Sequence, residues 1–156
     1  MYKKIMATLD GSVNAECVLP YAEDLNKKYG AEVILLSVLE PIVTMNDEQS
    51  PTADAWRQLE AVQKRLASDR QQYLSQKEKE LRDKGVKVRS VVLSGGKAAE
   101  QIIDYAKKEG VDAIVIATHG HSGAGRWAYG HVAEKVVRGA TVHTMLVRCA
   151  LPPGAI

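Results

Sequence analysis

The chain has 156 residues and a mass of 17.0 kDa, which suits one domain with a substantial core. Hydrophobic residues make up 46% and charged residues 26%, which is ordinary for a soluble globular protein. The formal net charge of +2 argues against nucleic acid as a partner, because nucleic-acid-binding domains usually carry a clear basic excess. No apolar run approaches the roughly 20 residues of a membrane span, so we predict no membrane partner and a cytoplasmic location.

The cysteine content is low. Cys17 and Cys149 are far apart in the sequence and form no CxxC motif. In a cytosolic protein this pattern predicts two reduced thiols.

Apolar runs alternate with helical patterns along the chain. Near-continuous apolar runs of strand length, such as EVILLSVL at 32–39, are typical of strands covered on both faces. The predicted strands cover residues 2–9, 32–39, 86–93, 112–117 and 141–148. The predicted helices cover residues 12–29, with a bend at Pro20, and residues 55–84, 98–108 and 132–138.

This βαβαβαβαβ order predicts an α/β fold, a three-layer αβα sandwich around a five-stranded parallel sheet with right-handed crossovers. We predict a single domain over residues 1–149 and a C-terminal tail over 150–156. In such Rossmann-like sheets a ligand binds beyond the carboxyl ends of the strands, where the strand order reverses. Residues 8–12, 38–41 and 117–130 therefore become candidates for one site.

The glycine-rich stretch THGHSGAGRWAYGH, residues 118–131, matches no common phosphate loop. It lacks the GxxxxGK[ST] pattern of a Walker A loop. Gly123 to Ala128 fits GxGxxG/A, but this stretch follows the fourth strand and no acidic residue occurs after Glu134, so a dinucleotide fingerprint is disfavoured.

A different spacing in this stretch does match a known pattern. Ala117-Thr-His-Gly120 is followed by nine residues and then by Gly130-His131. This resembles the universal stress protein family, whose nucleotide-binding members carry Gly-x-x-Gly, nine residues and Gly-Ser/Thr. The segments ATLDGS, ILLSVLEP, SGGKAAEQIIDYAKKEGVDAIVIATHGHSG and GHVAEKVVRGATVHTMLVR extend the resemblance over nearly the whole chain. It implies the adenine nucleotide alpha hydrolase-like variant of the Rossmann-like fold.

The resemblance implies that an adenine nucleotide lies across the reversal point of the sheet. Asp10 would accept hydrogen bonds from the ribose hydroxyls, as a carboxylate can. The backbone of Val38 would meet the adenine edge, and Thr8 and Leu9 would line the base pocket. A structural alternative for Asp10 is that it caps the first helix or holds the turn.

The phosphates would lie against the glycine-rich stretch. Gly120 and Gly130 would let backbone N–H groups approach them, and the helix start at His131 and Val132 would offer further N–H groups. Arg126 is the candidate cation for a phosphate, with an exposed surface position as the alternative.

Two positions depart from the family pattern. Ala117 replaces the first motif glycine and adds one methyl group near the ribose. His131 replaces the Ser/Thr, so a hydroxyl is lost and an imidazole donor is gained. The loss of one hydrogen bond to a charged group weakens binding by about 1.5–3 kcal/mol, which lowers affinity without abolishing it.

The sequence therefore predicts a universal stress protein that binds ATP, with or without Mg²⁺, and acts as a nucleotide-responsive regulator. ADP and AMP are alternative ligands. One competing hypothesis is a dimeric interaction module that binds no nucleotide. The other is a slow ATPase, although no nucleophile–base pair is visible.

Two further readings concern partners and metals. By family resemblance the last strand, between Val142 and Val147, would form a homodimer interface, and a protein partner of unknown identity would read the nucleotide state. A zinc site would have to use His119, His121, His131 and His143. It is disfavoured, because His119 and His121 fall in a glycine-rich turn with no Cys or acidic partner close by in the sequence, and His143 lies in the last strand, where it can point to either face.

Overall fold

The computed structural model describes residues 1–42, 52–119 and 130–149. Five strands and four α-helices alternate, with one 3₁₀ helix (Asn14–Val18) before the first α-helix. The strands are β1 (Lys4–Thr8), β2 (Glu32–Leu39), β3 (Val88–Ser94), β4 (Ala113–Ala117) and β5 (His143–Val147). The α-helices are α1 (Leu19–Tyr29), α2 (Ala53–Asp83), α3 (Ala98–Glu109) and α4 (His131–Gly139).

The five strands form one parallel sheet in the order β3-β2-β1-β4-β5. Successive side chains of each strand point to opposite faces. One face packs against α1 and α2 through a cluster around Ile5, Leu35 and Leu74. The other face packs against α3 and α4 through a cluster around Met6, Ile34 and Ile114. The predicted three-layer α/β fold is confirmed.

The strand order reverses between β1 and β4, which are adjacent although two strands separate them in the sequence. All five strands run in the same direction, so their carboxyl ends share one edge, here called the carboxyl edge. The opposite side of the sheet is the amino edge. A reversal point at the carboxyl edge is where an open α/β sheet leaves a crevice.

The first helical segment differs from its prediction. A 3₁₀ helix precedes α1, and Pro20 lies in the first turn of α1 rather than inside a bent helix. Proline is tolerated there because its missing N–H would have no intrahelical acceptor. Gly30 ends α1 in the left-handed conformation, with φ of 66°, as predicted.

The long helix α2 is only partly covered. Leu74 and Leu81 are buried, whereas Trp56, Val62 and Leu66 are 58%, 48% and 42% exposed. A 31-residue helix is about 46 Å long, whereas the eight-residue strand β2 spans about 26 Å, so α2 is longer than the sheet beneath it. The apolar side chains of α2 are therefore buried only towards its C-terminal end.

The prediction of two reduced thiols is wrong. Cys17, in the 3₁₀ helix, and Cys149, just after β5, form a disulfide across a sequence separation of 132 residues, with Cα atoms 5.7 Å apart. Both residues lie near the carboxyl edge, because one follows the end of β1 and the other follows the end of β5. No helix in the described ranges is both long and apolar enough to cross a bilayer.

Candidate functional site

A cavity of about 270 Å³ opens at the carboxyl edge, between the ends of β1 and β4. This volume is close to the lower end of the range for small-molecule sites, about 300 Å³. The cavity brings together most of the residues predicted from the sequence, namely Thr8, Leu9, Asp10, Ala117, Gly130, His131 and Val132. Their contact with a ligand stays a prediction.

Asp10 lies in the turn that follows β1. Leu9 N–H donates to the Leu36 carbonyl oxygen at 2.8 Å, which continues the pairing of the sheet up to the turn. Asp10 Oδ1 then accepts from the Ser12 N–H at 2.9 Å and from Ser12 Oγ at 2.6 Å. The structural alternative for Asp10 is thus realised, since the carboxylate holds the turn. A carboxylate has about four acceptor positions, so this role does not by itself exclude a ligand hydroxyl.

The opposite wall is made where the chain leaves β4 and enters α4. Gly130 N–H donates to the Thr118 carbonyl oxygen at 2.6 Å, and Thr118 N–H donates to the Val147 carbonyl oxygen at 2.8 Å. A Cβ atom at Gly130 would lie only 2.9 Å from the Thr118 oxygen. Gly130 is therefore required by the approach of the protein's own backbone, a reason that the sequence motif did not reveal.

Helix α4 begins at this wall. Its N-cap is Gly130, which has no side chain with which to cap the helix. The first intrahelical bond runs from Glu134 N–H to the Gly130 carbonyl oxygen at 3.0 Å, so the preceding N–H groups have no acceptor within the helix. His131 is exposed and lines the cavity at the first position of α4. The wall thus combines backbone donors with the positive end of a helix dipole, which favours an anion.

Val38 lies outside the cavity lining among the described residues. It pairs with Leu93 of β3, and its side chain lies on the face of the sheet that α3 and α4 cover. Thr8 is opposite Leu36 in the register, so Val38 lies two residues further along β2, on the far side of β1 from β4. Gly120 and Arg126 lie outside the described residues.

Sequence reasoning missed five of the apolar residues that line the cavity. They come from the 3₁₀ helix, α3, β4 and α4: Ala15, Ala98, Ile102, Ile116 and Ala133. Ala98 is the first residue of α3, which begins at the carboxyl edge. The alanines could have been found from the fold alone, because every helix that follows a parallel strand starts at this edge.

The α2 side of the site carries a chain of polar contacts. Tyr73 Oη donates to Glu16 Oε1 at 3.0 Å, and Lys77 Nζ lies 3.0 Å from Glu16 Oε2. Burial raises the pKa of the Tyr73 phenol, and the hydrogen bond to Glu16 raises it further. Tyr73 therefore remains a protonated donor that ties α2 to the 3₁₀ helix beside the Asp10 turn.

The histidines are not gathered at one place. His119 and His131 are at the carboxyl edge, whereas His143 begins β5 at the amino edge, where its Nδ1 is 3.1 Å from Tyr2 Oη. His121 lies outside the described residues. Within the part of the chain that the structure describes, no group of three or more His, Cys, Asp or Glu residues could hold a metal ion.

The sequence model that describes the universal stress protein family matches residues 1–148 of this chain. The chain belongs to the universal stress protein family. Among curated relatives, universal stress protein MJ0531 of Methanocaldococcus jannaschii is 31% identical over 150 residues, which cover 95% of this chain and 83% of the relative.

Solved structures of the family share the fold. The structure of MJ0577 superimposes with a TM-score of 0.83 at 26% identity and covers 97% of this chain and 99% of its own. A universal stress protein from Archaeoglobus fulgidus in complex with dAMP matches with a TM-score of 0.62 at 21% identity, over 94% of this chain and 97% of its own. A universal stress protein in complex with cAMP matches with a TM-score of 0.68 at 15% identity, over 96% and 98%.

Proposed function

We propose that this universal stress protein binds an adenine nucleotide in the carboxyl-edge cavity and acts as a nucleotide-responsive regulator. The observation that carries the proposal is the placement of two chemistries on opposite walls of one cavity. Asp10 lines one wall, and the start of α4, where the N-cap residue is a glycine, lines the other. A nucleotide needs both, because its ribose offers hydroxyl donors and its phosphates are anions.

The solved relatives support the class of ligand. Their structures with dAMP and cAMP contain adenine nucleotides in proteins of the same fold. For this chain we propose ATP as the ligand, with ADP and AMP as alternatives. Any Mg²⁺ would arrive with the phosphates, since this ion usually keeps water and binds through one or two carboxylates plus substrate phosphates.

Each wall would have a separate task. Asp10 would hold the ribose, and the apolar lining from Ile102 and Ile116 would cover the base and sugar. The N–H groups at the start of α4 would face the phosphates, with Gly120 and Arg126 as further predicted contacts. Binding of the nucleotide would change the surface that a protein partner reads.

The test begins with the protein as purified. It is denatured, and the supernatant is analysed for adenine nucleotide by ion exchange. Calorimetry then measures binding of ATP-Mg, ADP and AMP, with Kd expected on the order of tens to hundreds of micromolar given the two departures from the family motif.

Variants make this test specific. Asp10→Asn should weaken binding, whereas Asp24→Asn, which removes the same charge from an exposed position on α1, should not. If no nucleotide co-purifies and no added nucleotide binds, the interaction module without a ligand replaces this proposal. Phosphate release above the level of the Asp10→Asn protein would instead favour the slow ATPase.

A homodimer through the last strand is a second proposal. β5 is an edge strand, and its alternate residues His143 and Met145 are exposed, with Met145 at 38%. Edge strands present unpaired backbone groups that a second copy can cover. Light scattering should report a dimer for the native chain and a monomer for Met145→Glu. A dimer in both would place the interface elsewhere.

A further inference from the structure

Arg70 of α2 reaches from the helix to the carboxyl edge of the sheet. Its Nη1 donates to Ser37 Oγ at 2.6 Å, and Ser37 is only 1% exposed. The same guanidinium lies close to Gly11, because a Cβ atom built at Gly11 would be 3.2 Å from Arg70 Nε and 3.3 Å from Cζ. The Arg70 side chain therefore lies between β2 and the turn that follows β1.

These two contacts border the predicted ribose and base positions. Gly11 directly follows Asp10, and Ser37 directly precedes Val38. Gly11 has a φ of 85°, so a side chain there would be strained as well as crowded by the guanidinium. The guanidinium is thus hydrogen-bonded to the buried Ser37 hydroxyl and lies beside the Gly11 backbone.

Three neighbouring residues of α2 support this arrangement. Tyr73 and Lys77 follow Arg70 at helical spacing and bond to Glu16 of the 3₁₀ helix. Leu74 is fully buried in the core. These contacts hold α2 in place on the sheet. Arg70 therefore extends towards the Asp10 turn from a helix whose position is fixed.

We propose that Arg70 is a positioning residue for the ribose-facing and base-facing half of the site, because it holds the Asp10 turn and the end of β2 at a fixed separation. This inference rests on the proposed function. It assigns Arg70 no contact with phosphate. The proposed phosphate position is at Gly130 and the start of α4, next to β4, whereas Ser37 belongs to β2, on the other side of β1.

The first experiment compares two arginine variants on one helix. Arg70→Gln and Arg65→Gln remove the same charge from α2, but Arg65 is exposed and serves as the matched control. Calorimetry with adenosine, AMP, ADP and ATP should show that Arg70→Gln weakens all four by the same factor. The factor should be roughly tenfold, the value of one charged hydrogen bond from the ribose to Asp10 that a misplaced turn would lose. Arg65→Gln should leave all four affinities within about twofold of the native protein, as a surface charge change would.

Three results would overturn the inference. The first is unchanged affinity in Arg70→Gln, and the second is an equal loss of affinity in both variants. The third is a loss of affinity that grows from adenosine to ATP, because that result would make Arg70 a phosphate ligand. Arg70→Lys keeps a cation that can reach only one of the two contacts, so it should restore part of the affinity. Ser37→Ala, which removes one of the contacts and keeps Arg70, should show a smaller loss of the same uniform kind.

A second measurement needs no ligand. Amide hydrogen exchange at Gly11 and Ser12 should become at least tenfold faster in Arg70→Gln and stay unchanged in Arg65→Gln, because opening of the turn governs exchange there. Unchanged exchange would refute positioning by Arg70. If the native protein binds no nucleotide, the proposed function fails, while this exchange still decides whether Arg70 holds the turn.

Discussion

The two edges of the sheet differ in how their polar groups are bonded. At the amino edge the polar groups bond to one another. Asp112 accepts from the N–H groups of Lys3 at 2.7 Å and Lys4 at 2.9 Å, while Arg89 bridges Glu32 at 3.0 Å and Glu109 at 2.8 Å. A ligand would have to displace these partners.

The carboxyl edge differs in what lines its cavity, because Asp10 and the start of α4 meet there around apolar side chains. The amino edge has a cavity of similar volume, about 270 Å³, but its described lining includes neither a carboxylate nor the start of a helix. The difference follows from helix direction, because in a parallel sheet each helix that follows a strand begins near the carboxyl edge and presents N–H groups there. Nucleotide binding is thus expected to depend on the carboxyl edge and not on the amino edge, whereas both edges contribute to stability, and the following changes test this difference.

The largest effect should come from the disulfide, which ties the chain after β5 to the 3₁₀ helix at the carboxyl edge. Closing a loop of this length stabilises by about 5 kcal/mol in the chain-entropy description. The double variant Cys17→Ser, Cys149→Ser should therefore unfold at a much lower urea concentration than the oxidised protein.

A reducing agent provides the control for that prediction. It should lower the urea midpoint of the native protein and have no effect on the double variant. Equal midpoints for oxidised and reduced native protein would show that the bond adds no stability.

Gly130→Ala should lower the free energy of unfolding by about 2 kcal/mol, as overpacking does, and should also weaken nucleotide binding. The reason is that its Cβ would approach the Thr118 carbonyl oxygen to 2.9 Å, and backbone cannot yield easily. Gly139→Ala, at the other end of α4, is the control, because its Cβ meets only the tip of the flexible Ile103 side chain. Urea unfolding of both variants decides; similar losses would contradict this account.

His131→Ser should tighten ATP binding by roughly tenfold, since it restores a hydroxyl at the first position of α4. Calorimetry with ATP measures the change, and the same variant should bind adenosine as the native protein does. Weaker ATP binding would mean that the imidazole itself contacts phosphate.

The smallest effect should be at the amino edge. Hydrogen bonds from the backbone N–H groups of Lys3 and Lys4 lower the pKa of Asp112. A lowered carboxyl pKa contributes stability above the unfolded-state value, near pH 4, and this contribution is lost as the pH falls through the folded-state value. Asp112→Asn should destabilise by about 1 kcal/mol at pH 7 and by less in acid.

Nucleotide affinity is the second readout for Asp112→Asn. It should remain unchanged, because Asp112 precedes β4 at the amino edge, away from the cavity. A weakened affinity would break the separation between the two edges.

The accuracy of the predicted elements followed the strength of their local signals. Residues 32–39 form β2 with the predicted bounds, since a near-continuous apolar run starts soon after a helix-ending glycine. β3 begins at Val88, two residues later than predicted. Val86 is apolar and buried, but its N–H donates to the Leu81 carbonyl oxygen. Val86 therefore caps the C-terminal end of α2 and does not begin the strand.

The candidate site was predictable where a residue follows directly from a strand end. Thr8, Leu9, Asp10 and Ala117 are such residues, and the parallel sheet brings them to one cavity. Val38 also follows this rule, yet β2 lies beyond β1 from β4, so strand order placed it outside the lining. The role of Arg70 had no local signal, because its partners Ser37 and Gly11 are 33 and 59 positions away in the sequence.

The sequence by itself determined the α/β class, the family and the edge of the sheet at which the cavity around Asp10 lies, because periodicity and motif spacing are local properties. Only the tertiary structure decided that Cys17 meets Cys149, that Gly130 is pressed against Thr118, and that Arg70 of α2 bonds to Ser37 of β2. Each of these contacts joins segments far apart along the chain. Their distances depend on how the helices pack on the sheet, and no local pattern of residues encodes that packing.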